Sequence, residues 1–250
     1  MFWKKSTLNL FSLSLGLSVG LVSSIALKTQ AQPPIQPTPI GQEIGNNWNA
    51  FDTEDDDNSP GRRVGGASRG ACPIGKTPLT AIVPESELGR TVSEYPTLFL
   101  YVPSTPEKTK MEFQLTDKNE NVIYKQEFLS TGRDGIYRID IPNYVTPLAE
   151  GENYLWSFSL ICSTTDFAGI HYVGGWIKRI ENSQLLNGQI QQADPSDRPT
   201  QYTQNLLWYD LMASLADLHQ SDPNNTTFQD RWEELLMEVG LEDLADKPLN

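Results

Sequence analysis

From about Pro73 to Ile180 the apolar residues recur at every second position, in short runs separated by turn residues, with no helical period between them. A chain with that texture folds into strands, and side chains that alternate across each strand give one buried and one wet face. Thr97 to Val102 is a dense run of β-formers. Met111, Phe113 and Leu115 alternate with Glu112, Gln114 and Thr116, and Asp117 to Asn121 turns the chain into Val122, Tyr124 and Phe128, which together read as a hairpin. Tyr137, Ile139 and Ile141 continue the period. Tyr154, Trp156, Phe158, Leu160 and Cys162 share one face of the strongest strand, and Ile170 to Ile180 closes the set. Short strands at this spacing predict an antiparallel all-β sandwich over residues 71–181.

Leu148, Gly151 and Tyr154, each three residues apart, sit just before the strongest strand. The spacing resembles the tyrosine corner of immunoglobulin-like and fibronectin-type sandwiches, in which the tyrosine hydroxyl bonds back to nearby backbone. The proline usual before the glycine in fibronectin modules is Glu150 here. After Glu181 the period becomes helical, so residues 182–250 form a helical C-terminal region. Gln184 to Gln192 reads as a short helix. Leu207, Leu211, Leu215 and Leu218 form one stripe beside Trp208 and Met212, and Asp222-Pro223-Asn224-Asn225 turns the chain. Thr226 or Thr227 then caps a second helix, with Gln229 or Asp230 three residues on; Phe228, Trp232, Leu235, Leu236 and Val239 make its apolar face, and Gly240 stops it. The short connection predicts a small antiparallel helical hairpin as a tail.

The N-terminus reads as a secretory signal over residues 1–31: Lys4 and Lys5, an apolar stretch from about Leu8 to Leu27, and small residues at Thr29 and Ala31. Cleavage leaves no membrane span; a retained anchor is the alternative. Removal of Lys4, Lys5 and Lys28 leaves 16 basic against 32 acidic residues, a formal charge of −16. A chain so acidic is repelled by nucleic acid and anionic lipid. Residues 32–70, with Pro33, Pro34, Pro37 and Pro39, the acidic run Asp52 to Asp57 and the glycines from Gly61 to Gly70, carry too little apolar surface for a core and read as a flexible linker. Two cysteines, Cys72 and Cys162, in an exported chain read first as a disulfide, with two separate buried thiols as the alternative.

Two strings imitate enzyme motifs. Gly70 to Thr77 fits the phosphate loop G-x-x-x-x-G-K-T, but no apolar strand feeds it and Pro78-Leu79-Thr80 follows where a helix must begin, so no nucleotide is expected. Gly66-Ala67-Ser68-Arg69-Gly70 fits the elbow of serine hydrolases, again without the strand-to-helix turn; His171 and His219 are the available bases. Arg62, Arg63 and Arg69 among glycines read as a solvated basic segment balancing Asp55, Asp56 and Asp57 rather than an anion nest. The acidic run lacks the glycine and distal glutamate of a calcium loop, and no metal or cofactor is expected. Trp156, Trp176, Trp208 and Trp232 read as core residues rather than sugar-stacking platforms. No catalytic residue is assigned.

Gly61-Arg62-Arg63-x-Gly65-Gly66-x-x-Arg69-Gly70-x-Cys72-Pro73, Pro78-Leu79-Thr80-Ala81, Val83-Pro84-Glu85, Tyr101-Val102-Pro103, Trp156 to Cys162, Gly175-Trp176-Ile177 and Trp208-Tyr209-Asp210 form a set that resembles the cyanobacterial domain-of-unknown-function family 928, over roughly residues 61–250. The resemblance implies a cyanobacterial envelope or secreted protein (periplasmic or extracellular) and transfers no activity. It also implies that Cys72 and Cys162 pair, stapling the incoming segment across the sandwich end. The expected function is therefore that of a non-enzymatic envelope protein whose acidic helical hairpin meets an envelope or secreted protein partner. A carbohydrate-binding module using aromatics on an exposed sheet face is the first alternative, and a serine hydrolase using Ser68 the second.

Overall fold

The computed structural model describes residues 62–65, 74–163 and 169–250. The signal segment, most of the linker, Ser68, Arg69 and Cys72 lie outside the described residues. Eight strands form in chain order: β1 (Thr80–Ala81), β2 (Leu88–Thr91), β3 (Thr97–Val102), β4 (Lys110–Asp117), β5 (Val122–Leu129), β6 (Gly135–Asp140), β7 (Asn153–Ile161) and β8 (Ile170–Arg179). They make a three-stranded sheet in the order β1-β3-β6 and a five-stranded sheet in the order β2-β8-β7-β4-β5. All pairings are antiparallel except that of β2 with β8, which is parallel.

The period-two pattern sets the register. Trp156 of β7 stands opposite Leu115 of β4 and Gly175 of β8, and Phe158 stands opposite Phe113 and Val173. These side chains turn to one face and are fully buried, with Phe113 stacked on Trp156 at 6.3 Å between ring centroids. Each large apolar side chain buried this way contributes about 1.5–3 kcal/mol. The hairpin of β4 and β5 forms, with Asp117 accepting the Asn119 and Asn121 amides across the turn. Ile123 is an extra residue, however, so Val122 stands opposite Thr116, exposed, instead of sharing the face of Tyr124 and Phe128. The tyrosine before β7 also behaves as its spacing suggests: the Tyr154 hydroxyl accepts the Ala149 amide at 2.7 Å.

Arg62 to Gly65 differ from the expected linker. Arg62 pairs with Gly174 of the larger sheet and Val64 with Thr80 of the smaller one, so this piece of chain bridges the two sheets. Arg62 places its guanidinium 4.7 Å from the centroid of the Tyr172 ring. Arg63 donates to the carbonyl of Val239, and its amide bonds Glu87 at 2.8 Å. The two arginines are thus held in place by specific partners, Arg62 exposed over Tyr172 and Arg63 half-buried at Val239, because the backbone of this segment bonds both sheets.

Four helices follow: α1 (Gln184–Gln192), α2 (Arg198–Gln204), α3 (Trp208–Ser221) and α4 (Thr226–Glu238), then a 3-10 turn at Glu242–Leu244. The short helix α2, started by Pro199 in its first turn, was not legible as a period because it spans only two turns. The cap of α4 is Asn225, whose side chain accepts the Thr227 amide at 3.2 Å; Thr226 and Thr227 are already helical. Gly240 does stop α4. It adopts φ +67, its amide bonds Met237, and the Leu241 amide reaches back to Leu236 at 2.7 Å.

The helices are not a tail. β3 is buried along nearly its whole length, and Phe99 meets the Trp232 ring of α4 edge-on at 5.7 Å. A single apolar cluster runs from Leu79 through both sheets to Leu244. The apolar stripes of α3 and α4 are therefore consumed within the molecule. Of the four tryptophans among the described residues, Trp156, Trp208 and Trp232 are buried, whereas Trp176 is half-exposed.

Candidate functional site

Three consecutive residues open α3 and tie it to the sheets. The Trp208 indole N–H donates to the carbonyl of Ile82 at 3.2 Å. Tyr209 lays its ring on Gly89, where an added Cβ would come within 2.5 Å of a ring carbon. Its hydroxyl donates to the Trp176 carbonyl at 2.9 Å and accepts the Trp156 indole N–H at 3.0 Å. Burial pushes that phenol above its ordinary range. Asp210 accepts the Val92 amide at 3.2 Å and a hydrogen bond from Thr91.

The turn that delivers these residues is strained. Leu206 adopts φ 56, a left-handed conformation that costs a β-carbon-bearing residue about 1 kcal/mol or more. It persists because the Leu206 amide bonds Thr203 at 3.0 Å and the Leu207 amide bonds Tyr202 at 2.9 Å, closing α2 and setting the direction of α3.

Beside this junction lies a cavity of about 360 Å³. Ser93 and Tyr95 reach it from the β2–β3 connection, Thr97 from the start of β3, Arg198 and Tyr202 from α2, and Asp210, Ser214 and Asp217 from α3. Asp210 keeps partial exposure, yet its carboxyl is enclosed; burial pushes its pKa up to about 6, against the hydrogen bonds of Thr91 and Val92 that favour the ionised form. The Tyr202 phenol is raised first by burial and then by the charges of Asp210 and Asp217, with Arg198 opposing. Asp217 is ion-paired to Arg138, which also holds Asp140 at 2.9 Å. The Arg198 Nε is buried without a hydrogen-bond partner. A guanidinium, two carboxyls and two phenols so arranged can grip paired hydroxyls while the rings cover a carbon face.

The residues singled out from sequence do not gather here. Ser68 lies outside the described residues, His171 is buried in β8, and His219 stands on α3 facing the C-terminal residues 245–250. Gly75 bonds Ser104 at 2.9 Å and the chain then enters β1, so a strand follows the phosphate-loop string where that motif needs a helix. Cys162 follows β7 half-buried against the core, while its expected partner Cys72 lies outside the described residues. Among the described residues no group of histidine, cysteine and acidic side chains is placed to hold a metal, and no helix is long and apolar enough to cross a membrane. Sequence reasoning passed over Arg198, Tyr202 and Asp217. The one available signal was Asp210, an acid between Leu207 and Leu211 on the side of α3 that carries the leucines.

Fold and site together define a β-rich protein of two sheets, with helices built into the same core and a polar cavity where they join. The chain belongs to the family described as Domain of Unknown Function (DUF928), whose profile matches residues 64–249. No curated protein matches it at a significant level. A solved structure similar to it is the glycosyl hydrolase family 2 (GH2) member from Bacteroides cellulosilyticus DSM 14838, at 11% identity and a TM-score of 0.26, covering 68% of this chain and 35% of that one. The chain thus spans about a third of that protein's length.

Proposed function

We propose that the protein is an exported, non-enzymatic binding module whose cavity between α2, α3 and the β2–β3 connection receives a carbohydrate. The observation that carries this reading is the convergence of Arg198, with its unpartnered Nε, on Tyr202 and Asp210 in one cavity of sugar size. The tyrosines offer faces for C–H groups, and the charged side chains take adjacent hydroxyls. Sugar binding moves from an exposed sheet face to this cavity because Trp156, Trp208 and Trp232 are core. Titration calorimetry of the full chain against a panel of neutral and acidic glycans tests it. One glycan binds, and Arg198→Ala and Tyr202→Ala each weaken it at least about tenfold, the scale of a lost charged hydrogen bond. A flat response across the panel sinks it.

A protein partner is the second reading. It is favoured by Leu185 of α1 and Met237 of α4, large apolar side chains left exposed on the helices. Crosslinked capture from envelope fractions that is lost in Leu185→Glu or Met237→Glu is expected. Capture of no protein removes the reading, and capture that survives both changes removes this surface as the contact. Ser68 hydrolysis predicts ester turnover lost in Ser68→Ala, and absence of turnover ends that idea.

The two sheets, with Tyr154 bonded back to Ala149, support an immunoglobulin-type sandwich as the finer reading of the fold. Export rests on residues 1–31, and the Cys72–Cys162 disulfide on the cysteine count and the family pattern. The intact mass of protein recovered from the envelope tests both: a chain beginning at Gln32 with no alkylatable thiol is expected. A retained leader or two free thiols would refute the respective claim.

A further inference from the structure

We propose that the outer edge of β5 pairs with the same edge of a second copy, joining two five-stranded sheets across a two-fold axis at Gln126. Among the described residues β5 bonds only β4, so its other side presents a free row of backbone donors and acceptors over eight residues. The strand reads Val-Ile-Tyr-Lys-Gln-Glu-Phe-Leu, and antiparallel pairing about Gln126 makes it its own complement. Lys125 falls opposite Glu127 of the second copy, and Glu127 opposite its Lys125. Tyr124 falls opposite Phe128, and Leu129 opposite Ile123. Leu129 is 63% exposed in the single chain, and this pairing sets it against Ile123 of the second copy.

Charge on the neighbouring strand argues for the same register. Glu127 stands directly opposite Glu112 of β4, a like-charge pair that sheets disfavour. Within one chain the compensation is only diagonal, from Lys110 to Glu127 at 2.8 Å and from Lys125 to Glu112 at 2.9 Å. In the paired edge, Lys125 of the second copy sits directly across from Glu127 and supplies the missing countercharge on its open side. The extra residue at Ile123, where the β4–β5 register shifts, limits the straight ladder to the segment centred on Gln126, and this fixes the register rather than allowing slippage.

Sedimentation of the full chain in mild detergent, at about 100 µM, tests the pairing, since an interface of this kind needs no more than micromolar affinity. The wild type sediments as a dimer. Lys125→Glu and Glu127→Lys each place like charges across the axis and weaken association at least about tenfold. The double exchange Lys125→Glu/Glu127→Lys restores the dimer, a result that a merely damaged strand would not give. A monomeric wild type, leaving the edge to a foreign strand or to solvent, overturns the proposal. So do single variants that associate as the wild type does, since the dimer is then held elsewhere.

Discussion

Asp210 sits where a helix, a strand end and a cavity meet, and its environment pulls its proton affinity in two directions. Burial raises the pKa from 3.8 to about 6, while the Val92 amide and Thr91 hydroxyl reward the anion. A carboxyl whose folded pKa exceeds its unfolded one takes up a proton on folding between those values. Its burial cost is absent below pH 4, grows as pH rises, and is complete above pH 6. Asp210→Asn keeps an acceptor for Val92 and removes the titration. Relative to wild type, the variant therefore gains about 2–3 kcal/mol in unfolding free energy between pH 4 and pH 7, near the upper end if the cavity is dry. Urea denaturation at the two pH values measures the gain; an equal difference at both would mean that Asp210 ionises freely. That an acid stands on the leucine side of α3 was legible in the sequence. What enclosed it was not, because Thr91 and Val92 come from a strand more than a hundred residues earlier.

Among the elements, α4 shows most clearly how ends are fixed. Its first turn is closed by the Asn225 side chain, its last by the positive φ of Gly240 and by Arg63, whose cation lies at the negative end of the helix dipole. Asn225→Ala costs about 1 kcal/mol and Gly240→Ala a similar amount. Their sum holds in the double variant because the two ends share no partner. Thermal denaturation of the three variants reads this directly, and a neutral Gly240→Ala would show that the turn relaxes. The stop at Gly240 was plain from sequence, since a glycine after the last apolar residue of a helix is a local signal. The start, expected at Thr226 or Thr227, was misplaced by one or two residues, because Asn, Thr and Thr in succession are all capable caps and only the backbone geometry chooses among them.

At the scale of the molecule, sheets and helices share one core, so neither is a separable module. Removal of residues 182–250 exposes Phe99, Tyr101 and Ile136 on the smaller sheet and strips the Trp208 contact from Ile82 and the Tyr209 contacts from Gly89 and Trp176. The shortened chain is expected to be unfolded or aggregated, with loss of near-ultraviolet circular dichroism and rapid proteolysis. A soluble, protease-resistant remainder of about 110 residues would show instead that the sheets stand alone, as their size by itself would allow. For the same reason a deletion of the helices cannot serve as a clean test of partner binding, whereas point changes at Leu185, Met237, Arg198 or Lys125 can.

The sequence by itself determined the long strands and most of their inward faces, the β4–β5 hairpin, the Tyr154 contact and the period of the two long helices, but not β2, whose four residues carry no alternation. Each is a matter of neighbours within a few residues, where alternation, turn chemistry and caps act directly. Only the tertiary structure decided that Arg62 to Gly65 bridge the sheets, that the helices close over β3, and that Arg198, Tyr202 and Asp210 meet in one cavity. Those outcomes depend on which apolar faces find one another across long stretches of chain. A periodic pattern states that a face must be buried and leaves open what buries it.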